Sequence, residues 1–194
     1  MPNFLIKLSE TAIVKISIFA PSIIFKTKKC TFIFTTKHTM RGPLFYSKIL
    51  LFGEYGIIKD SKGLSIPYNF YNGALKIDKH HTISTQKSNA SLKRFVGYLE
   101  NIQMENPSLV SFDMEKLKTD VENGLYFDSS IPQGYGVGSS GALVAAVYDK
   151  YATNKITVLE NLTREKMLTL KTIFAEMESF FHGKSSGLDP LNSY

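Results

Sequence analysis

Cysteine is nearly absent from this 194-residue chain: Cys30 stands alone, which excludes a disulfide framework and a cysteine-built zinc site. Long apolar runs are missing too. The longest uncharged stretch of the N-terminal segment, Ile16 to Phe25, is broken by Pro21 and falls far short of the ~20 residues that span a bilayer. Residues 1–39 lack glycine and arginine, and no small-x-small cleavage site follows their apolar stretch. Both a signal peptide and an arginine-rich presequence therefore fit poorly. We read residues 1–39 as an atypical basic and apolar leader outside the functional protein, with Met40 as the functional start.

Positive charge is in excess, at +6, but it is unevenly spread. Six lysines and a single acid lie in residues 1–39, so the leader carries +5 and residues 40–194 only +1. No interleaving of basic and aromatic residues survives outside the leader, and a nucleic-acid partner drops out. No membrane span is present, and a cytoplasmic setting is the default. A hydrophobic content of 43% excludes wholesale disorder, and the length suits one domain or slightly more.

From residue 40 onward, strands gather early and helices late, which predicts an α+β fold. Leu44–Phe52 reads as a strand with Lys48 set among apolar neighbours. Ile57-Ile58 and Leu64–Ile66 flank a Gly63-containing turn, the pattern of a hairpin, and residues 71–78 read as a further short strand. Leu92, Phe95, Val96, Leu99 and Ile102 recur at helical spacing after Ser91, the expected cap. Further helices are expected at Asp113–Glu122, Gly141–Ala152 and Thr163–Phe181, with a strand at Gly124–Phe127. The last helix has an apolar stripe of Met167, Leu170, Phe174, Met177 and Phe181.

The richest local signal is Pro132-Gln-Gly-Tyr-Gly-Val-Gly-Ser-Ser-Gly141. Gly134, Gly136 and Gly138 free the backbone to turn its N–H groups inward, and a helix of small residues follows. Its N-terminus favours an anion, and Ser139 and Ser140 add hydroxyls able to bind phosphate oxygens or magnesium. A dinucleotide fingerprint also fits Gly136, Gly138 and Gly141, with Glu160 near the place of a ribose-binding acid. That alternative oxidoreductase reading leaves Lys48, Glu178 and Asp189 unexplained. Glu178 borders the apolar stripe of the last helix, where a carboxylate needs a cation or a donor, and Asp189 follows it by eleven residues. Two such acids can divide the work of holding a metal and accepting a proton. His182 has no second histidine or cysteine at metal-ligand spacing.

These pieces resemble the GHMP small-molecule kinases, and among them the mevalonate kinase type. Tyr46 through Tyr55 approximates Pro-Gly-Lys-x-x-Leu-x-Gly-Glu-His. Pro132 through Gly141 follows the Pro-x-x-x-Gly-Leu-Gly-Ser-Ser-Ala phosphate loop. Glu178, His182, Gly183, Ser186, Gly187 and Asp189 keep the spacing of Glu-x-x-x-His-Gly-x-x-Ser-Gly-x-Asp. The resemblance implies an N-terminal domain like ribosomal protein S5 domain 2, spanning residues 40–194, with a ferredoxin-like C-terminal domain missing. It implies ATP and Mg²⁺ as cofactors and a small alcohol, mevalonate first, as substrate. Asp189 would be the catalytic base and Lys48 the cation at the reacting oxygen. Ser140 and Glu178 would hold Mg²⁺, while Pro132, Gly134, Gly136, Gly138, Ser139, Ser140 and Gly141 would wrap the nucleotide. Glu54, Tyr55 and His182 would face the substrate. The chain departs from the pattern at Tyr46-Ser47 for Pro-Gly, at Tyr55 for His and at Ser185 for Pro. The 194-residue chain alone is expected to be inactive or poorly folded, with the missing C-terminal domain or a second copy as its partner, and a non-catalytic remnant is the further alternative.

Overall fold

Side chains that alternate or recur along the chain sort the described residues from 42 onward into one small sheet and a helical layer. The structure, a computed structural model, describes residues 6–8, 12–14, 42–52, 64–80, 82–158 and 162–194. The chain divides into two units, residues 1–40 and 41–194. In the first, β1 (Ile6–Leu8) pairs antiparallel with β2 (Ala12–Val14). The second carries β3 (Phe45–Phe52), β4 (Leu64–Ile77), α1 (Ile83–Glu105), α2 (Met114–Glu122), β5 (Leu125–Ser129), α3 (Ser139–Tyr151), α4 (Arg164–His182) and α5 (Leu188–Ser193).

The sheet has the order β3-β4-β5, and both pairings are antiparallel. Leu64–Ile66 and residues 71–78, expected as separate strands, are parts of the single strand β4. Pro67 lies inside it, opposite Lys48. It is tolerated because β5 pairs only with Gly73–Ile77, so the N–H that proline lacks would have met no strand on that side. The register slips between Tyr46 and Ser47, leaving residues 69–71 between the paired positions Tyr68 and Asn72. The turn expected before Leu64, with Ile57-Ile58, lies outside the described residues.

Helix α1 begins more than two turns before Leu92, so Ser91 is an interior residue and not the cap. Its first half is polar because it is held by hydrogen bonds. The Ser88 hydroxyl oxygen accepts from the Phe127 N–H at 2.9 Å. The Asn89 amide donates to the carbonyls of Val121 at 2.8 Å and Leu125 at 2.7 Å. Ahead of the helix, the Asp78 carboxylate accepts from the N–H groups of His80 and Thr82 and the Thr85 hydroxyl.

The main core lies among the helices. Leu92, Phe95 and Leu99 of α1, Leu117 of α2, Tyr148 of α3 and Phe174 of α4 all sit in it. Leu170, Ile173, Phe174 and Met177 form the buried face of α4, whereas Met167, expected in that stripe, is exposed at the helix start. A second cluster joins Ala142, Ala145 and Ala146 of α3 to Phe45 of β3 and Ile131. Small side chains there let α3 lie close to the sheet. Helix α3 is therefore buried on opposite sides, as its apolar composition requires, and its N-terminus is fixed between β3 and α5.

Candidate active site

The free edge of β3 captures the glycine-rich loop. Because β3 is an edge strand, Lys48 has an N–H with no strand partner on that side, and it donates to the Val137 carbonyl at 3.0 Å. Gly138 then caps α3 with φ 83°, a left-handed conformation suited to glycine. A Cβ on it would also lie 3.0 Å from Lys48 Cγ. Glycine offers no capping side chain, so the first N–H groups of α3 are left without a side-chain partner.

Lys48 does not snorkel to solvent. It is buried, with its Nζ 3.1 Å from Asp189 Oδ1, while the Asp189 side chain remains 31% exposed. Two contacts set this pair. The Ser193 hydroxyl of α5 donates to the Tyr46 carbonyl of β3 at 2.8 Å. Gly141 of α3 lies so close to α5 that a Cβ there would be 2.7 Å from the Asp189 carbonyl carbon. Gly141, expected to wrap the nucleotide, is instead a close-packing position within α3 beneath Asp189 and does not line the cleft.

Glu178 is buried in the last turn of α4. Its Oε1 accepts from the Ser140 hydroxyl at 3.1 Å and its Oε2 from the Ser185 hydroxyl at 2.5 Å. Burial pushes its carboxyl above the usual range, and the nearby Asp189 charge pushes the same way against the two hydroxyl bonds. Ser140 Oγ also lies 2.9 Å from His182 Nε2. With the Ser140 proton directed at Glu178, His182 acts as donor to the serine oxygen. His182 therefore touches the Ser140–Glu178 pair.

One open cleft of about 1150 Å³ joins these groups. It is lined by Lys48, Pro132, Gly134, Gly136, Gly138, Ser139, Ser140, Glu178, His182 and Asp189. Three separated stretches of sequence thus converge on one wall. Glu54, Tyr55 and Glu160 lie outside the described residues. Lys87, Ser88 and Ser91 of α1 also line the cleft, and the sequence reading missed them because their polar run carries no apolar period. The dinucleotide alternative requires a parallel strand leading into the glycine loop. Here β5 is antiparallel to β4, so the Gly136, Gly138 and Gly141 spacing is not that fingerprint.

Residues 100–192 match the family model described as GHMP kinases N terminal domain. This stretch is similar to the GHMP kinase N-terminal domain. The match covers α2, β5, the glycine loop, α3, α4 and most of α5, which include Ser140, Glu178, His182 and Asp189 but not Lys48 or the α1 residues of the cleft. No curated protein and no solved structure matches the chain. The likeness to the GHMP kinases points to a small-molecule phosphotransferase in general terms. Among the described residues no helix is long and apolar enough to cross a membrane.

Proposed function

We propose that this domain binds ATP with Mg²⁺ and takes part in transferring the terminal phosphoryl group to the hydroxyl of a small alcohol, mevalonate being the first candidate. The observation that carries the reading is the Lys48–Asp189 pair, 3.1 Å apart, set in the same cleft as the Ser140–Glu178 pair and the glycine loop. An amino group, a carboxylate, hard oxygen donors and a helix N-terminus are the parts that phosphoryl transfer uses.

The donor set suits a cation that arrives with ligands of its own. Ser140 Oγ and Glu178 Oε1 are hard oxygens 3.1 Å apart. Glu178 has no lysine or arginine within ion-pair reach among the described residues. No group of three or more His, Cys, Asp or Glu side chains there could hold a metal alone. Magnesium on a polyphosphate needs only one or two protein oxygens, because phosphate and water fill its other positions. When bound, Mg·ATP supplies the transferable phosphoryl group and neutralises charge on it.

The protein's residues then take these parts. The N–H groups at the start of α3 and the loop backbone from Gly134 to Ser139 receive phosphate oxygens. Ser140 and Glu178 hold the cation. Asp189 accepts the proton of the attacking hydroxyl, and Lys48 holds that oxygen in line while compensating the charge that develops. The need for ATP favours a cytoplasmic setting.

The test is transfer of labelled phosphate from ATP to mevalonate and to a panel of other small alcohols. Product is expected from the wild-type protein. Asp189→Ala should lose at least 100-fold in kcat while still binding nucleotide. An Asp189→Ala variant with undiminished kcat would refute the assignment.

A further inference from the structure

We propose that Ser185 is a positioning residue that ties the buried Glu178 carboxylate to the loop bearing Asp189, so that the two acids are set in place as one unit. The inference rests on the roles given above to Glu178 and Asp189, but the tie itself is a matter of this chain's own bonds.

Glu178 lies one turn before the end of α4, and Asp189 is the second residue of α5. The connection between them must turn sharply and still hold both carboxylates still. Its two ends are fixed by glycine. Gly183 closes α4, its N–H donating to the Ser179 carbonyl at 2.7 Å with φ 73°. Gly187 caps α5 at φ 71°, pressed so closely on α4 that a Cβ would lie 2.1 Å from the Lys171 carbonyl oxygen. Between these ends only a side chain can fix the carboxylate relative to the turn, and Ser185 does so with both capacities of its hydroxyl. Its oxygen accepts from the Gly187 N–H at 3.0 Å, and its proton goes to Glu178 Oε2 at 2.5 Å. A proline, which the family pattern has at this position, could make neither bond.

The consequence is directional. With Oε2 committed to Ser185, Oε1 is the oxygen that meets Ser140 Oγ. The Gly187 N–H, held by the same hydroxyl, fixes the residue that caps α5, two positions before Asp189. Loss of the hydroxyl would leave Glu178 held by Ser140 alone and the Gly187 N–H without this acceptor.

The experiment compares Ser185→Ala and Ser185→Thr in the full chain by two readouts. The first, which needs no ligand, is hydrogen exchange at the Gly187 amide followed by NMR. It should quicken by roughly tenfold in Ser185→Ala, as loss of one hydrogen bond implies, and stay near wild type in Ser185→Thr. The second is Mn²⁺ affinity in the presence of ATP. It should weaken by roughly tenfold or more in Ser185→Ala, the scale of losing a group that orients a metal ligand, with recovery in Ser185→Thr. Unchanged Gly187 exchange in Ser185→Ala would overturn the tie. Changed exchange with unchanged Mn²⁺ affinity would overturn its role in positioning Glu178. A wild-type chain that takes up no Mn²⁺ with ATP would instead refute the nucleotide reading, while the exchange result would still decide the tie.

Discussion

Two glycines inside helices separate close packing from helix propensity. Gly97 of α1 has nothing within 4 Å of the place where a Cβ would stand. Gly141 of α3 would put a Cβ 2.7 Å from the Asp189 carbonyl carbon and 2.8 Å from both Asp189 Cβ and Pro190 N. Ordinary carbon contacts begin near ~3.5 Å, so α5 would have to retreat by roughly 0.8 Å. It cannot do so freely, because Ser193 holds its far end to Tyr46. Either substitution by alanine gains up to about 1 kcal/mol of helix propensity, but only Gly141→Ala incurs overpacking, about 1–3 kcal/mol. The two variants should therefore differ by about 1–3 kcal/mol, or roughly 3–10 °C in Tm for a domain of this size, with Gly97→Ala the more stable. Thermal unfolding of both measures this directly. Because Asp189 is what Gly141 supports, Gly141→Ala should also lower kcat by about 100-fold, the scale of a 1 Å misplacement. Equal Tm values together with wild-type turnover in Gly141→Ala would refute the close-packing argument.

Two other perturbations probe the charges. Lys48→Met keeps an apolar stem in the buried slot but removes the cation from Asp189; phosphoryl transfer should fall by about 100-fold or more. Its stability cost should stay below the ~3–5 kcal/mol of breaking a fully buried pair, since Asp189 remains partly in solvent, and a folded variant with normal turnover would contradict Lys48's role. Asp78, held at about 2 by the His80 N–H and then by Thr85 and Thr82, binds a proton less readily folded than unfolded. Its stabilisation is complete above its ordinary value of 3.8 and is lost as pH falls towards 2. Urea midpoints of Asp78→Asn should therefore fall less steeply than wild type across that window, and parallel curves would refute the assignment.

The elements that could be read from the sequence were those with strong periodicity or punctuation. Helices α2 and α4 begin beside Asp113 and Thr163, whose side chains accept from the N–H groups of Lys116 and Lys166, and the helices expected at Asp113–Glu122 and Thr163–Phe181 start at the same two residues. The first turns of α1 were illegible because Ser88 and Asn89 serve hydrogen bonds to β5 instead of an apolar face. β4 looked like two strands because Pro67 interrupts it, and only the limited reach of β5 explains why that proline is allowed. At the site, the resemblance of the motifs around Lys48, the glycine loop, Glu178 and Asp189 to the GHMP kinase pattern implied the grouping. The contacts that hold it announced nothing. Gly141 reads as one more loop glycine until α5 is seen against it, and Ser185 reads only as a departure from a pattern until its hydroxyl is found on Glu178.

The central claim is that the cleft is a Mg·ATP site, and thermal unfolding of the wild-type chain with Mg·ATP tests it most directly. Ligand at ~100 times its Kd adds about 2.7 kcal/mol, so Tm should rise by roughly 5–10 °C with Mg·ATP and should not rise with NAD. A Tm that ignores Mg·ATP, or that rises as much with NAD, would contradict the account.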